Sequence, residues 1–155
     1  MAISNEAAAK FSAQVYALVR ACPAGRVTTY GGLGKALGYP RGARMIGWIM
    51  NETPDRQGIP AQRVIAKDGK LSGGWAFGGE VAMRGLLEGE GVTFDDQGRA
   101  RMKLHEWDPT RDLPDDERAR IIAEADPTTV QPSVALLRLL NRDPASPFSA
   151  GETRV

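Results

Sequence analysis

The chain has 155 residues, with 20 Lys and Arg, 19 Asp and Glu, 42% hydrophobic residues, one Cys and one His. This length suits one domain with a hydrophobic core, and one Cys with one His excludes both an intramolecular disulfide and a typical structural zinc site. No apolar run approaches the roughly 20 residues needed to cross a bilayer, and the N-terminal residues lack the layout of a signal peptide. We therefore expect a soluble, cytoplasmic protein with no cofactor, no metal and no membrane contact.

Charge and glycine are unevenly distributed along the chain. Residues 26–70 hold 8 basic and 3 acidic residues, a pattern typical either of a surface that binds a polyanion or of an ordinary solvated face. Seventeen of the 18 Gly precede residue 107, whereas six of the 10 Pro follow it. This shift predicts a compact domain over 1–106 and a C-terminal extension over 107–155.

The N-terminal third of the chain carries three predicted helices. Apolar residues at helical spacing predict a helix over 6–20, which the Cys-Pro-Ala-Gly turn at 22–25 ends. A short helix over 29–37 precedes Gly38, and a third helix covers 42–51. Two short helices joined by a tight turn are typical of a helix-turn-helix motif.

The middle of the chain alternates turns with short elements. Residues 59–65 form a short apolar segment, Asp68-Gly69 predicts a hairpin turn, and 69–79 read as a mobile glycine-rich loop with an aromatic tip. A helix is expected over 80–89 and a small hairpin over 92–102. The predicted fold class is therefore mainly α with small β elements.

The extension is expected to be partly helical. Pro114 followed by three acidic residues begins a helix over 114–125, and a second helix covers 134–140. The last dozen residues are predicted to be disordered.

Three separated motifs point to a known family. They are Gly25-Arg26-Val27-Thr28-Thr29-Tyr30-Gly31, Ala43-Arg44-Met45-Ile46-Gly47 and Ile59-Pro60-Ala61-Gln62-Arg63-Val64-Ile65. In this order and spacing, over about residues 6–106, the chain resembles the DNA-binding and active-site domain of O6-alkylguanine-DNA alkyltransferases. The resemblance implies a winged-helix-like helix-turn-helix domain like the alkyltransferase C-terminal domain, followed by the extension.

One departure bears on activity. In the alkyltransferases the third motif contains Pro-Cys-His-Arg-Val, and the Cys thiolate takes the alkyl group from guanine. Here the resemblance places Ala61 at the Cys position and Gln62 at the His position. A methyl group has no lone pair with which to attack. The chain thus resembles the alkyltransferase-like proteins, which commonly carry Trp at that position, and no catalytic residue is expected.

The resemblance implies a DNA-binding surface on the helix-turn-helix. Arg44 matches the arginine that fills the gap left by an extruded base, and Tyr30 matches the tyrosine that presses on the phosphate of the target nucleotide. An exposed helical Arg and a core Tyr are the structural alternatives. Small or helix-starting residues would let backbone N–H groups approach phosphates, with helix packing as their alternative: Thr28, Thr29, Gly31, Arg41, Gly42 and Ala43.

The same resemblance implies a pocket for the flipped base. Its floor would consist of Pro60, Ala61, Gln62 and Arg63, with Tyr30 beside it. We expect Arg63 to bind neighbouring backbone carbonyls and Gln62 to hydrogen-bond to Glu90, which matches the buried Glu of the family.

A loop containing Ser72, Gly73 and Trp75 would close over this pocket, in a register that the sequence leaves open because the loop is about two residues longer than is usual in the family. Trp75 would either stack on a base, worth about 1–3 kcal/mol, or pack on the core. Cys22 is expected to be a small buried hydrophobic residue, and no chemistry is assigned to His105.

The implied function is that of a non-enzymatic sensor of alkylated guanine in duplex DNA. Such a protein would bind the minor groove as a monomer, flip the base and signal nucleotide-excision repair through a UvrA-type partner, in association with the nucleoid. The alternatives are a helix-turn-helix transcription regulator, a general DNA-binding protein, and residual alkyl transfer to Cys22 or another side chain. The acidic extension would either dock on a repair partner or cover the back of the domain.

Overall fold

The computed structural model describes residues 4–52, 58–72 and 78–142. Among these residues, no helix is both long enough and apolar enough to cross a membrane. The predicted aromatic tip around Trp75 and the predicted disorder of the last dozen residues lie outside the described ranges.

Helices dominate the architecture. Their bounds are α1 Asn5–Ala21, α2 Tyr30–Ala36, α3 Ala43–Met50, α4 Glu80–Gly89, α5 Met102–His105, α6 Pro109–Asp112, α7 Asp115–Ala123 and α8 Val134–Arg142. Two short 3-10 helices cover Ala61–Arg63 and Pro127–Thr129. All of the helices expected within the described residues are confirmed, whereas the four-residue helices α5 and α6 were not predicted because they are too short to show a periodicity.

A two-residue parallel pairing joins the helix-turn-helix to the predicted pocket floor. Strand β1, Thr28–Thr29, pairs with β2, Val64–Ile65, in the register Thr28 to Val64 and Thr29 to Ile65. Because α2 begins directly after β1 and the first 3-10 helix ends directly before β2, this pairing brings the two regions together. Strands this short show no alternation, and the sequence did not predict them.

The expected turns are present. Gly69 has a φ of +91° in the turn after β2, and Ala66 N–H donates to Lys70 O at 3.1 Å. Phe94 and Ala100 form an isolated antiparallel bridge, with Asp95 N–H donating to Arg99 O at 2.8 Å. The predicted hairpin over 92–102 is therefore reduced to one bridged pair around a tight turn, which we call the hairpin below.

Two hydrophobic clusters form the core. The larger cluster combines α1, α2 and α3 with residues of the extension, and the smaller one lies under α4 and the hairpin. The larger includes Val15, Leu18, Leu33, Ile46, Ile49, Val130, Leu136 and Leu140. The smaller consists of Val27, Ile65, Leu71, Met83, Leu87, Val92 and Ala100.

The extension packs against the rest of the chain. Trp107 is buried, and its backbone N–H donates to Val27 O at 2.6 Å. At the start of α8, Ser133 Oγ accepts from Leu136 N at 3.0 Å, and both the N–H and the hydroxyl of Ser133 donate to the Glu52 carboxylate just beyond α3. The extension therefore packs on the helix-turn-helix, and its docking on a repair partner stays a prediction.

Candidate nucleic-acid interface and pocket

The turn between α2 and α3 depends on a close backbone approach at Gly34. Tyr39 N–H donates to Gly34 O at 2.8 Å, and a Cβ atom on Gly34 would lie 2.8 Å from Tyr39 O. Any side chain there would push the two helices apart. Gly38, with a φ of +93°, ends α2 as predicted. The turn between α2 and α3 therefore requires a residue without a side chain at position 34.

The start of α3 is exposed and has no side-chain cap. Gly42 precedes the helix and offers no side-chain acceptor, so the first N–H groups are not satisfied by a capping side chain. Arg41, Ala43 and Arg44 are exposed, and the side chain of Arg44 has no ion pair or hydrogen bond to any residue in the described ranges. This corner therefore presents two cations, free backbone donors and the positive end of a helix dipole.

Tyr30 lies against α3 and is half-buried. A Cβ atom on Gly47 would lie 4.0 Å from Tyr30 Cδ1, so the ring covers the glycine. Because residues three apart share a helix face, Gly47 and Arg44 lie on the same side of α3. The structure thus brings two of the predicted DNA-binding residues, Tyr30 and Arg44, to one face.

The two threonines before α2 have buried side chains. Thr29 Oγ1 accepts from Gly32 N at 2.9 Å and caps α2, whereas Thr28 Oγ1 is buried without a hydrogen-bond partner within the described parts of the chain. Gly31 is half-buried and has open space where a Cβ atom would lie. The side chains of Thr28 and Thr29 are therefore not available to a phosphate.

The predicted pocket floor is a turn of 3-10 helix. Pro60, Ala61, Gln62 and Arg63 are all half-buried, and Ala61 packs at the edge of the larger hydrophobic cluster, as Tyr30 does. An open cavity of about 370 Å³ adjoins this floor. It is lined by Arg20, Gly58, Ile59, Pro60, Gln62 and Arg63.

A hydrogen-bond network holds the floor from below. Arg63 donates from Nε to Glu90 Oε1 at 3.0 Å and from Nη2 to Glu90 Oε2 at 2.8 Å, while Gln62 Nε2 donates to Glu90 Oε2 at 2.9 Å. Arg63 Nη1 also donates to Cys22 O at 2.7 Å. The expected bond between Gln62 and Glu90 and the expected carbonyl contact of Arg63 are both confirmed. The ion pair between Arg63 and Glu90 was not predicted.

This network keeps Glu90 ionised. Burial alone would raise the pKa of the carboxyl, but the hydrogen bonds from Arg63 and Gln62 and the charge of Arg63 outweigh burial and lower it. Glu90 therefore acts here as an anionic anchor for the floor, with all of its described side-chain donors coming from the two residues after Ala61.

Cys22 is fully buried, as expected for a small hydrophobic residue. Its thiol lies 3.7 Å from Arg26 O and 3.9 Å from Pro23 O, which accept its weak hydrogen bonds. Burial raises the pKa of the thiol to about 12. Because the thiolate is the nucleophilic form of cysteine, burial and the raised pKa both disfavour reaction of this thiol in the folded protein.

Part of the predicted pocket loop lies outside the described residues. Ser72 is exposed at its start, whereas Gly73 and Trp75 fall in the undescribed range 73–77. The position of the loop over the floor therefore stays a prediction.

His105 has a structural role. Thr93 N–H donates to its Nε2 at 3.0 Å, which leaves Nδ1 to donate to Gly25 O at 3.1 Å. No group of His, Cys, Asp and Glu in the described ranges is arranged to hold a metal ion.

Comparison with known proteins decides the family. Residues 10–92 match the sequence family described as 6-O-methylguanine DNA methyltransferase, DNA binding domain, which includes the helix-turn-helix, the pocket floor and Glu90. The chain belongs to this family. The resemblance inferred from the three motifs is thereby confirmed.

Individual members of the methyltransferase family share about a third of their residues with the chain. A DNA base-flipping protein of Vibrio parahaemolyticus is 32% identical over 101 residues, which cover 64% of this chain and 98% of that protein. Alkyltransferase-like protein 1 of Schizosaccharomyces pombe is 32% identical over 96 residues, covering 62% of this chain and 89% of the relative.

A solved structure shares the fold. Atl1 of S. pombe, crystallised in complex with damaged DNA containing O6-carboxymethylguanine, matches with a TM-score of 0.55 and 31% sequence identity. The match covers 64% of this chain and 95% of Atl1. The prediction of a mainly helical, alkyltransferase-like fold with small β elements is confirmed.

Proposed function

We propose that the protein is a non-enzymatic sensor of O6-alkylguanine in duplex DNA. It binds the minor groove through α2 and α3, flips the modified base onto the floor formed by Pro60, Ala61, Gln62 and Arg63, and holds it without transferring the alkyl group. The names of the relatives, a base-flipping protein and an alkyltransferase-like protein, support this proposal.

The main support for this proposal is the chemistry of the pocket floor. We place Ala61 at the position of the alkyl-accepting Cys, and its side chain is a methyl group. The single Cys of the chain is Cys22, whose buried, protonated thiol cannot substitute for it. A floor anchored by Arg63 and Glu90 but lacking a nucleophile is suited to hold a base and not to react with it.

The exposed corner of α3 supplies the other half of the mechanism. Flipping a base costs a few kcal/mol of lost stacking, and a planar cation that enters the gap offsets part of this cost. Arg44 is exposed and has no described ion pair to break first. The ring of Tyr30, which lies against the same face of α3, would press on the adjacent DNA backbone.

The persistent complex then recruits nucleotide-excision repair through a damage-recognition protein of the UvrA type. Because no covalent product forms, the flipped base remains available as a signal for as long as the complex lasts. A purified UvrA-type protein should bind more tightly to damaged duplex that already carries this protein than to damaged duplex alone. Equal binding would exclude this part of the proposal.

The decisive experiment compares two duplexes that differ only in O6-methylguanine against guanine, at near-physiological salt, followed by the intact mass of the protein. We expect tighter binding to the modified duplex and an unchanged mass. Equal affinity would favour a general DNA-binding or regulatory protein, and a gain of one methyl group would show residual transfer.

A further inference from the structure

A second basic surface lies beyond the helix-turn-helix. It consists of Lys67 and Lys70 in the turn after β2, together with Arg99, Arg101 and Lys103 in and just after the hairpin. We call these five residues the hairpin patch. Four of them are exposed and Arg99 is half-buried.

The two halves of the patch are held in direct contact. Ala100 N–H donates to Gly69 O at 2.9 Å, which ties the hairpin to the turn. A Cβ atom on Gly69 would lie 2.6 Å from Ala100 O and 3.2 Å from Arg99 Cβ. Lys70 follows this glycine, Lys67 lies two residues before it, and Arg99 and Arg101 flank Ala100. These four cations are therefore brought to one region, although some 30 residues separate the two segments in the chain.

The positive charge of the patch is not consumed by ion pairs. None of the five cations forms an ion pair or a side-chain hydrogen bond with the residues in the described ranges. The nearby carboxylates accept hydrogen bonds from backbone: Asp68 Oδ1 accepts from Lys70 N, and Asp95 Oδ1 accepts from Gln97 N and Arg99 N. Asp95 also lies close enough to Arg101 and Arg99 to feel their charges. Even with Asp96 counted, five cations face three carboxylates, which leaves the patch positive.

One half of the patch follows the proposed pocket floor closely along the chain. The turn bearing Lys67 follows β2, and β2 follows the floor residue Arg63 without a break. Lys70 is two residues before Ser72, where the predicted pocket loop begins. Because the net charge of the chain is only +1, its attraction to DNA has to come from such local concentrations of cations.

We propose that the hairpin patch is a second phosphate-binding surface, which contacts the backbone of the bound duplex next to the pocket while α2 and α3 occupy the groove. This proposal rests on the proposed function, since it assigns the same DNA as the ligand. Phosphate contacts position a protein without reading sequence. The patch therefore adds affinity and salt dependence and leaves the preference for the modified base unchanged.

The test removes three exposed cations of the patch and compares them with three elsewhere. The patch variant carries K70Q, R101Q and K103Q. The control variant carries K10Q, R138Q and R142Q, which lie on α1 and α8. Both variants change the net charge of the protein by the same amount. Each protein is titrated with O6-methylguanine duplex and with unmodified duplex over a range of salt concentrations, and thermal unfolding checks that each remains folded.

The slope of log Kobs against log salt is the deciding quantity. Each phosphate contact contributes a slope of about −0.9, so the patch variant should lose roughly two to three from the magnitude of the slope and bind both duplexes more weakly by the same factor. The control variant should retain the wild-type slope.

Three outcomes would contradict the proposal, and a fourth would contradict the proposed function alone. A wild-type slope in the patch variant overturns the second surface alone, and an equal loss in both variants assigns the effect to net charge. A selective loss of the preference for modified duplex shows that the patch reads the lesion. Equal wild-type affinity for the two duplexes overturns the proposed function, whereas the change in slope still tests the patch.

Discussion

Arg63 and Glu90 form a two-point ion pair that joins the floor of the proposed pocket to the end of α4. The two bonds are 3.0 and 2.8 Å long, and the side chains are only 15% and 18% exposed. If one partner were removed, the charge of the other would remain partly buried and poorly solvated, so the pair stabilises the fold. Because Arg63 is in the same 3-10 helix as Ala61, the pair also restrains the position of Ala61.

Removing the charge of Glu90 should destabilise the protein more than removing the charge of an exposed ion pair. E90Q should lower the free energy of unfolding by about 1–3 kcal/mol, because Arg63 keeps its charge and loses an ionised acceptor. The matched control is E88Q, which removes the exposed ion pair with Arg84 and should cost less than about 1 kcal/mol. Chemical denaturation measures both, and equal losses would show that the floor does not depend on the pair.

Acid should destabilise the protein through carboxylates whose pKa the fold lowers, among them Glu90 and Asp112. Glu90 has a pKa below its ordinary 4.5, and the pKa of Asp112 falls from 3.8 to about 2, chiefly through its hydrogen bonds with Arg111. For groups with lowered pKa values in the folded state, the stabilisation is complete above the ordinary pKa and is lost as the pH falls through the folded one. The free energy of unfolding should therefore decrease from about pH 4.5 down to pH 2.

The contribution of Asp112 can be separated from that of Glu90. D112N should flatten the lower part of this profile, between pH 3.8 and about 2, where Asp112 takes up its proton. Urea titrations at a series of pH values provide the measurement. If the free energy of unfolding of D112N fell with pH as steeply as that of the wild type, the fold would not stabilise the ionised form of Asp112.

The Cys22 thiol should resist alkylating reagents in the folded protein. Burial both shields the sulfur and raises its pKa to about 12, so little thiolate is present at mildly alkaline pH. Intact mass should show no added group under native conditions and one added group in denaturant. A61C supplies a half-buried comparison thiol that should react natively, and fast labelling of the wild-type protein would show that Cys22 is accessible.

Arg44 should contribute to binding of modified duplex but not to stability. R44A is expected to weaken that binding about tenfold or more, which corresponds to roughly 1.4 kcal/mol, and to change the free energy of unfolding by no more than about 0.5 kcal/mol. R138A provides an exposed arginine on α8 as a control. Unchanged affinity of R44A, measured by fluorescence anisotropy, would remove the role assigned to Arg44.

The extension should be part of the cooperative fold. L140A deletes a fully buried side chain of the larger cluster and should cost about 2–5 kcal/mol. V134A, on the exposed side of the same helix, should cost less than about 0.5 kcal/mol. A small effect of L140A would show that α8 is loosely attached.

The sequence predicts the long helices well because their apolar residues repeat at helical spacing, as Val15 and Leu18 do in α1. It does not predict β1 and β2, since two residues carry no alternation and the pairing of Thr28 with Val64 joins segments distant in the chain. The sequence also leaves the attachment of α8 open, because an amphipathic segment does not specify which surface it covers.

For the candidate site, the family resemblance located Gln62 and Glu90 as bonding partners, but residue types alone did not reveal that Arg63 is the main partner of Glu90. The buried hydroxyl groups of Thr28 and Thr29 were likewise not foreseen, since threonine is as common on surfaces as in caps. Contacts of this kind depend on the β1–β2 pairing, which the sequence does not show.

The contact between Glu52 and Ser133 spans 81 residues and closes the back of the helix-turn-helix. During translation, α3 emerges long before α8, so its apolar rear face stays uncovered until the residues around Leu136 and Leu140 have been synthesised. A nascent chain stalled before that point would expose the apolar surface of the helix pair, to which chaperones would bind. Complete synthesis of α8 is therefore a condition for the larger cluster to close.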